Sequence, residues 1–107
     1  MRRGEVWWAE LPAPAGRRPV VLLSRNEAYA VRELVTVGPV TTRTRRIPTE
    51  VALGPADGLP KACVVNLDTI TTIPRRALAE RIAPLTPAKL AAVERALMFA
   101  LGLVMPP

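Results

Sequence analysis

The chain has 107 residues, half of them hydrophobic and 22% charged, with 15 Lys and Arg against 9 Asp and Glu for a formal net charge of +6. That length and balance predict one compact domain over 1–107 with a real core, and they argue against disorder. With no histidine and a single cysteine, Cys63, the chain excludes histidine acid–base chemistry, imidazole metal ligands, an internal disulfide and any zinc-finger spacing; neither a metal nor a cofactor is expected.

In chain order, Gly4 to Leu11 alternates well enough for a strand, and Pro12 to Gly16 reads as a loop. Pro19 to Ser24 is a short continuous apolar run, the pattern of a strand buried on both faces. Asn26 is placed to cap a short helical turn through Arg32. Leu34 to Thr41 is a β-branched run whose Gly38-Pro39 pair predicts a bulge or bend. Pro48 to Leu53 alternates as a strand, and Gly54 to Pro60 is dense in turn residues. Strand character returns at Cys63 to Leu67 and at Ile70 to Ile73, and Pro74 is placed to open a brief helix through Leu78.

The last element has the plainest signals. Thr86 caps it, Pro87 takes the first helical position, Gly102 sits where a C-terminal cap belongs, and Leu90, Val93, Leu97 and Leu101 recur at helical spacing. Its second half is apolar nearly all round, so that end is expected to be buried in the monomer or in an oligomer contact. Many short strands followed by a helix predict a mainly-β α+β fold, a small curled sheet or partial barrel. Met1-Arg2-Arg3 meets Glu5 with no apolar signal region behind it, and the longest apolar stretch, Ala96 to Met105, is short of the roughly 20 residues a bilayer needs. A soluble, cytoplasmic protein without a membrane partner is expected, and its positive charge points to a polyanion.

Thirteen of the 15 basic residues are Arg, whose planar fork suits phosphate, although a genome rich in G and C produces the same ratio. Three polar clusters interrupt the apolar strands. Arg17-Arg18 stands before Pro19, which biases Arg18 toward an extended shape and a fixed aim; a solvated pair guarding a strand against aggregation is the alternative. Thr41-Thr42-Arg43-Thr44-Arg45-Arg46 interleaves hydroxyls with guanidiniums, a set suited to phosphate and sugar oxygens, or else an exposed polar loop. Asn66-Leu67-Asp68-Thr69 offers an amide and a carboxylate for base edges, or a turn in which Asp68 caps backbone N–H groups.

Taken in order, these segments resemble the MazF/PemK family of toxins. Arg2-Arg3-Gly4-Glu5-Val6-Trp7-Trp8-Ala9-Glu10-Leu11 is similar to the family's opening R-G-[DE]-[IV]-[WY] with its following acid and Leu. Arg18-Pro19-Val20-Val21-Leu22-Leu23-Ser24 resembles its R-P-V strand, and Val40-Thr41-Thr42 its [IV]-T-[ST] segment. The run from Leu85-Thr86-Pro87 through Val93-Glu94-Arg95-Ala96-Leu97 to Leu101-Gly102-Leu103 resembles its closing helix. Two departures touch substrate recognition: the first loop, Pro12 to Arg17, is compact, and Thr69-Ile70-Thr71-Thr72-Ile73-Pro74 stands where the family reads Q-I-R-T-I-D.

The resemblance implies an SH3-like small barrel of MazF/CcdB type with a C-terminal helix, assembled as a homodimer. It implies a sequence-specific endoribonuclease that cuts single-stranded RNA without metal and is held inactive by a cognate MazE-like antitoxin with an acidic, flexible tail. By position it implies catalytic roles for Arg18 and Thr41, and an RNA contact for Asp68. With the clusters above, the expected RNA-binding set is Arg17, Thr42, Arg43, Arg45, Arg46, Asn66, Asp68 and Thr69.

RNA carries its own nucleophile, the 2′-OH, so the protein must chiefly stabilise an anionic phosphorane. Arg18 and Thr41 fit that task, while the proton acceptor stays open among Asp68, a neighbouring Glu and Arg18 itself. Two other classes compete. A CcdB-like topoisomerase poison shares the expected fold, but the chain's Leu-Val-Met-Pro-Pro ending lacks the Trp-Gly-Ile tail of such poisons. A plain single-strand binder would stack bases on Trp7 or Trp8; neighbours on a strand face opposite ways, so at most one joins a platform.

Overall fold

Seven strands and two helices form along the chain in the computed structural model, which describes residues 1–103. The strands are β1 (Glu5–Glu10), β2 (Arg17–Leu22), β3 (Leu34–Thr41), β4 (Glu50–Leu53), β5 (Cys63–Asn66), β6 (Thr71–Pro74) and β7 (Leu78–Pro84). The helices are α1 (Ala28–Val31), a single turn, and α2 (Pro87–Ala100). Three 3₁₀ turns, Pro55–Asp57, Leu67–Thr69 and Arg75–Ala77, join the later strands. The sheet runs β4-β5-β3-β2-β1-β7, and β6 pairs with β3 beside the β5 contact. Every pairing is antiparallel.

The apolar run at Pro19 to Ser24 is buried on both faces because a strand's side chains alternate. Val20 and Leu22 enter a cluster with Ala9, Tyr29, Val35, Val37, Ile73 and Leu78, whereas Val21 and Leu23 enter a second cluster with Val6, Val40, Val65, Leu67 and Val93. Each such Val or Leu contributes about 1.5–3 kcal/mol by leaving water. The second cluster lies beneath α2, whose Val93 and Ala96 are buried and whose Leu90 and Leu97 pack alongside.

α2 begins and ends as its sequence signals predict. The Thr86 side chain accepts from Lys89 N at 3.2 Å with Pro87 at the first position. At the other end Gly102 takes φ +70°, and the Gly102 and Leu103 N–H groups donate back to the Phe99 and Met98 carbonyls, a Schellman closure that only a left-handed residue permits. Two polar ties dock the helix: Arg3 Nη1 to Glu94 Oε2 at 3.3 Å, and Lys89 Nζ to the Ala52 carbonyl at 2.7 Å.

Several expectations need correction. β2 starts at Arg17, so Arg17 and Arg18 are strand residues and not a preceding flank. Asn26 caps no helix: α1 has Glu27 at its N-cap without a side-chain bond, and Asn26 Oδ1 accepts instead from Arg3 N at 2.7 Å. Pro74 ends β6, and the brief helix after it is a 3₁₀ turn. β7 went unread because Glu80-Arg81 breaks the alternation and β-bulges interrupt its pairing with β1. Of the helix end expected to be buried in the monomer or in an oligomer contact, the protomer buries Ala96 but leaves Phe99 63% exposed and Leu101 and Leu103 exposed too, so the monomer alone does not supply that burial. The final residues of the Ala96 to Met105 run, and the tail after it, lie outside the described residues.

Candidate nucleic-acid interface

Because β2 alternates, Arg17 and Arg18 leave the sheet on opposite faces. Arg17 is opposite Glu10 on β1, and its guanidinium forms ion pairs with Glu10 and with Glu80 on β7 (3.2 Å) while lying 5.0 Å from the ring centre of Trp8. Two carboxylates and an indole thus occupy the charge that the sequence offered to RNA. Arg18 is opposite Ala9, on the other face. Its Nε donates to the Ala15 carbonyl at 3.0 Å, the side chain's only hydrogen bond among the described residues, so the compact first loop orients the guanidinium and leaves its terminal nitrogens available.

Thr41 is the last residue of β3. β2 and β3 pair from Leu22–Val37 to Val20–Pro39, two residues short of Arg18 and Thr41, and beyond that point β3 pairs with β5, Thr41 standing opposite Val64. Thr41 and Thr42 line a cleft of about 150 Å³ with Trp8, Pro19, Val40, Leu59, Pro60, Lys61 and Cys63. Arg18 does not line this cleft; its neighbour Pro19 does. Lys61 adds a cation to the rim that sequence reading missed, since an isolated Lys within a turn carries no spacing signal. Burial pushes the Cys63 thiol up, with the Asp57 carboxylate adding to the shift, so the cleft holds a protonated thiol and not a thiolate nucleophile.

Beyond Thr41 the chain turns sharply. Thr41 Oγ1 accepts from Arg43 N at 3.2 Å, and Arg46 adopts φ 55°. Arg43, Arg45 and Arg46 are exposed, and none of their guanidiniums makes a hydrogen bond or ion pair among the described residues. The acid that this loop lacks in sequence arrives from β4. Glu50 Oε1 accepts from Thr44 Oγ1 (3.3 Å), Arg45 N (2.9 Å) and Arg46 N (3.1 Å). Glu50 went unread as a functional residue because it looks like an ordinary polar position of an alternating strand.

The third cluster behaves first as a turn. Asn66 Oδ1 accepts from Asp68 N at 2.8 Å and so caps the 3₁₀ turn, and Asp68 Oδ2 accepts from the buried Thr49 hydroxyl at 2.6 Å. Asp68 and Thr69 remain exposed. The β4–β5 register sets Asn66 opposite Glu50, and the β3–β5 register sets Val64 opposite Thr41. The second and third clusters therefore meet on one edge of the sheet, whereas Arg18 of the first bonds to the Ala15 carbonyl and shares no cleft with Thr41 among the described residues. Far from this edge, burial raises the Glu5 carboxyl, but the Trp7 indole N–H, the terminal ammonium, the Arg2 backbone and Arg81 outweigh it and hold it below the usual range.

A family described as PemK-like, MazF-like toxin of type II toxin-antitoxin system matches residues 2–101. The chain belongs to this family. A Mycobacterium tuberculosis relative named Probable endoribonuclease MazF5 is 41% identical to this MazF-like chain over 96 residues, which cover 89% of the chain and 87% of the relative. The solved Mycobacterium tuberculosis toxin MazF-mt6 superposes with a TM-score of 0.87 at 32% identity, over 94% of this chain and 99% of that one. A mycobacterial endoribonuclease in complex with its cognate antitoxin reaches a TM-score of 0.88 at 35% identity, over 99% of both chains. The mainly-β sheet with its C-terminal helix is thus the MazF fold, and the relatives favour a nuclease over a topoisomerase poison or a passive binder.

Proposed function

We propose that this MazF-like toxin is a sequence-specific endoribonuclease that cuts single-stranded RNA without metal, by attack of the RNA's own 2′-OH on the adjacent phosphodiester. The 2′-O–P bond forms as the P–O5′ bond breaks, leaving a 2′,3′-cyclic phosphate and a 5′-OH. Arg18 donates to the phosphoryl oxygens as their charge grows, and Thr41 hydrogen-bonds a non-bridging oxygen. The observation that carries this reading is the family match across residues 2–101, and the free terminal nitrogens of Arg18, two residues before the last β2–β3 pair, support it.

Arg43, Arg45 and Arg46 supply phosphate contacts from the adjacent loop, with Thr42, Asn66, Asp68 and Thr69 along the same edge. Arg17, being paired, contributes less than its sequence position implied. The partners are single-stranded RNA and a cognate MazE-like antitoxin with an acidic, flexible tail, which the net charge of +6 complements. The toxin acts in the cytoplasm, as a homodimer whose second copy covers the apolar helix end at Phe99 and Leu101.

The test is incubation of the purified chain with labelled single-stranded RNA in excess chelator, followed by sequencing of the fragment ends. Cuts at one short sequence with 5′-OH ends are expected. Uncut RNA, shifted on a gel or not, would overturn the nuclease reading.

A further inference from the structure

We propose that Glu50 is a positioning residue for RNA binding, its carboxylate shaping the loop that presents Arg43, Arg45 and Arg46. The proposal rests on the nuclease reading for its ligand, single-stranded RNA, but its geometric basis is independent of that reading. Three guanidiniums within four residues repel one another, and the backbone at Arg46 sits in the left-handed region that L side chains rarely adopt. Left alone, such a segment spreads over many conformations. A single carboxylate oxygen, Glu50 Oε1, gathers the Thr44 hydroxyl and the N–H groups of Arg45 and Arg46, so both peptide donors flanking the Arg45–Arg46 step converge on one acceptor.

What the carboxylate leaves alone is equally informative. Among the described residues Glu50 forms no ion pair with any arginine, so it satisfies the backbone without quenching the side-chain charges. Its second oxygen, Oε2, is buried without a hydrogen-bond partner among the described residues. The preceding residue extends the hold: Thr49 Oγ1 donates to Asp68 Oδ2, and Leu67 N donates to the Thr49 carbonyl at 2.8 Å. Thr49 and Glu50 thus clasp the arginine loop and the Asn66–Thr69 turn in one fixed relation.

The experiment compares Glu50→Ala and Glu50→Gln with the wild type by three readouts. The first is affinity for an RNA oligonucleotide spanning a mapped cut, made uncleavable by a 2′-deoxy substitution at the cut. The second is single-turnover cleavage at saturating protein. The third is limited trypsin digestion, which cuts after Arg and reads loop order without RNA. For E50A, the cost of re-ordering a residue or two predicts an affinity weaker by roughly tenfold, an unchanged cleavage rate at saturation, and faster cutting confined to Arg43, Arg45 and Arg46. E50Q keeps an oxygen acceptor and restores all three to within about twofold of wild type.

Wild-type affinity and trypsin pattern in E50A would overturn the proposal, and so would a lost cleavage rate at unchanged affinity. Trypsin cutting throughout the E50A chain would assign Glu50 to the whole fold and overturn its local role. An E50Q variant as impaired as E50A would overturn the hydrogen-bonding role assigned to Glu50. If the wild type neither binds nor cuts RNA, the nuclease reading fails, while the trypsin pattern still decides whether Glu50 holds the loop.

Discussion

Replacing Gly38 with Ala tests how tightly the core fixes the strand that carries Thr41. A Cβ built at Gly38 lies 2.9 Å from Val65 Cγ2, 3.4 Å from Leu23 Cδ1 and 3.6 Å from Leu67 Cδ1. The last two are tight to ordinary contacts; the first falls about 0.6 Å inside the closest favourable carbon–carbon separation. Val65 has little room to yield: it is fully buried, β-branched, and held between Val40 on β3 and Val51 on β4. Overpacking of this kind costs about 1–3 kcal/mol, and replacing Gly in an extended strand returns about 0.4–1 kcal/mol through the unfolded chain. The net expectation is a loss of about 1–2 kcal/mol, or a fall in Tm of roughly 5–15 °C. Thermal unfolding by circular dichroism at fixed protein concentration measures it. Val65→Ala removes the clashing methyl, so G38A combined with V65A should cost less than the sum of the two single losses. A G38A protein as stable as wild type, or a double variant that is simply additive, would refute the packing argument.

Four further outcomes follow from the same structure. Arg18→Ala and Thr41→Val should each slow RNA cleavage by roughly 10²–10³ while leaving the Tm close to wild type, as read by single-turnover kinetics; wild-type rates would remove both residues from the chemistry. Arg43→Ala should lower the salt slope of RNA affinity by about 0.7 for its lost phosphate, whereas Arg17→Ala, whose charge is spent on Glu10 and Glu80, should leave the slope unchanged. Thr49→Val should lower stability by about 1–2 kcal/mol in urea titration, because it removes a buried donor from Asp68. Tyr29 is the only tyrosine, and burial pushes its hydroxyl from the ordinary 10 up to about 12, opposed by its hydrogen bonding to Ser24. The folded state therefore holds that proton more tightly than the unfolded one. The stability this brings is complete below pH 10 and is lost as the pH rises through 12, and absorbance at 295 nm should show a midpoint near 12 in the folded protein.

Strand and helix signals that depend on the chain's immediate neighbours were legible in the sequence. Thr86, Pro87 and Gly102 bracket α2 because capping is settled within a turn of the helix, and the two-faced burial of Val20 to Leu23 follows from strand alternation and an unbroken apolar run. Asn26 shows where local signals mislead, since its side chain found a better donor in Arg3, 23 residues away. β7 escaped notice because a bulged strand has no clean period, and its existence is decided by pairing with β1. The open apolar end at Phe99 and Leu101 shows that hydrophobicity predicts a wish for burial without saying what provides it.

The same division governs the site. Sequence alone marked the arginines and threonines as candidates for phosphate contacts, because charge, donor type and order along the chain are properties of the residues themselves. Which of those charges is free was decided only by the fold. Arg17 and Arg18 are chain neighbours, yet strand alternation sends one to Glu10, Glu80 and Trp8 and leaves the other beside Ala15. The role of Glu50 is likewise invisible along the chain, since an acceptor for three converging donors exists only when β4 is paired beside β5 and the loop folds back over it. Composition sets the kinds of interaction available, but Coulomb and hydrogen-bond energies fall off over a few ångströms, so the partners are chosen by tertiary proximity.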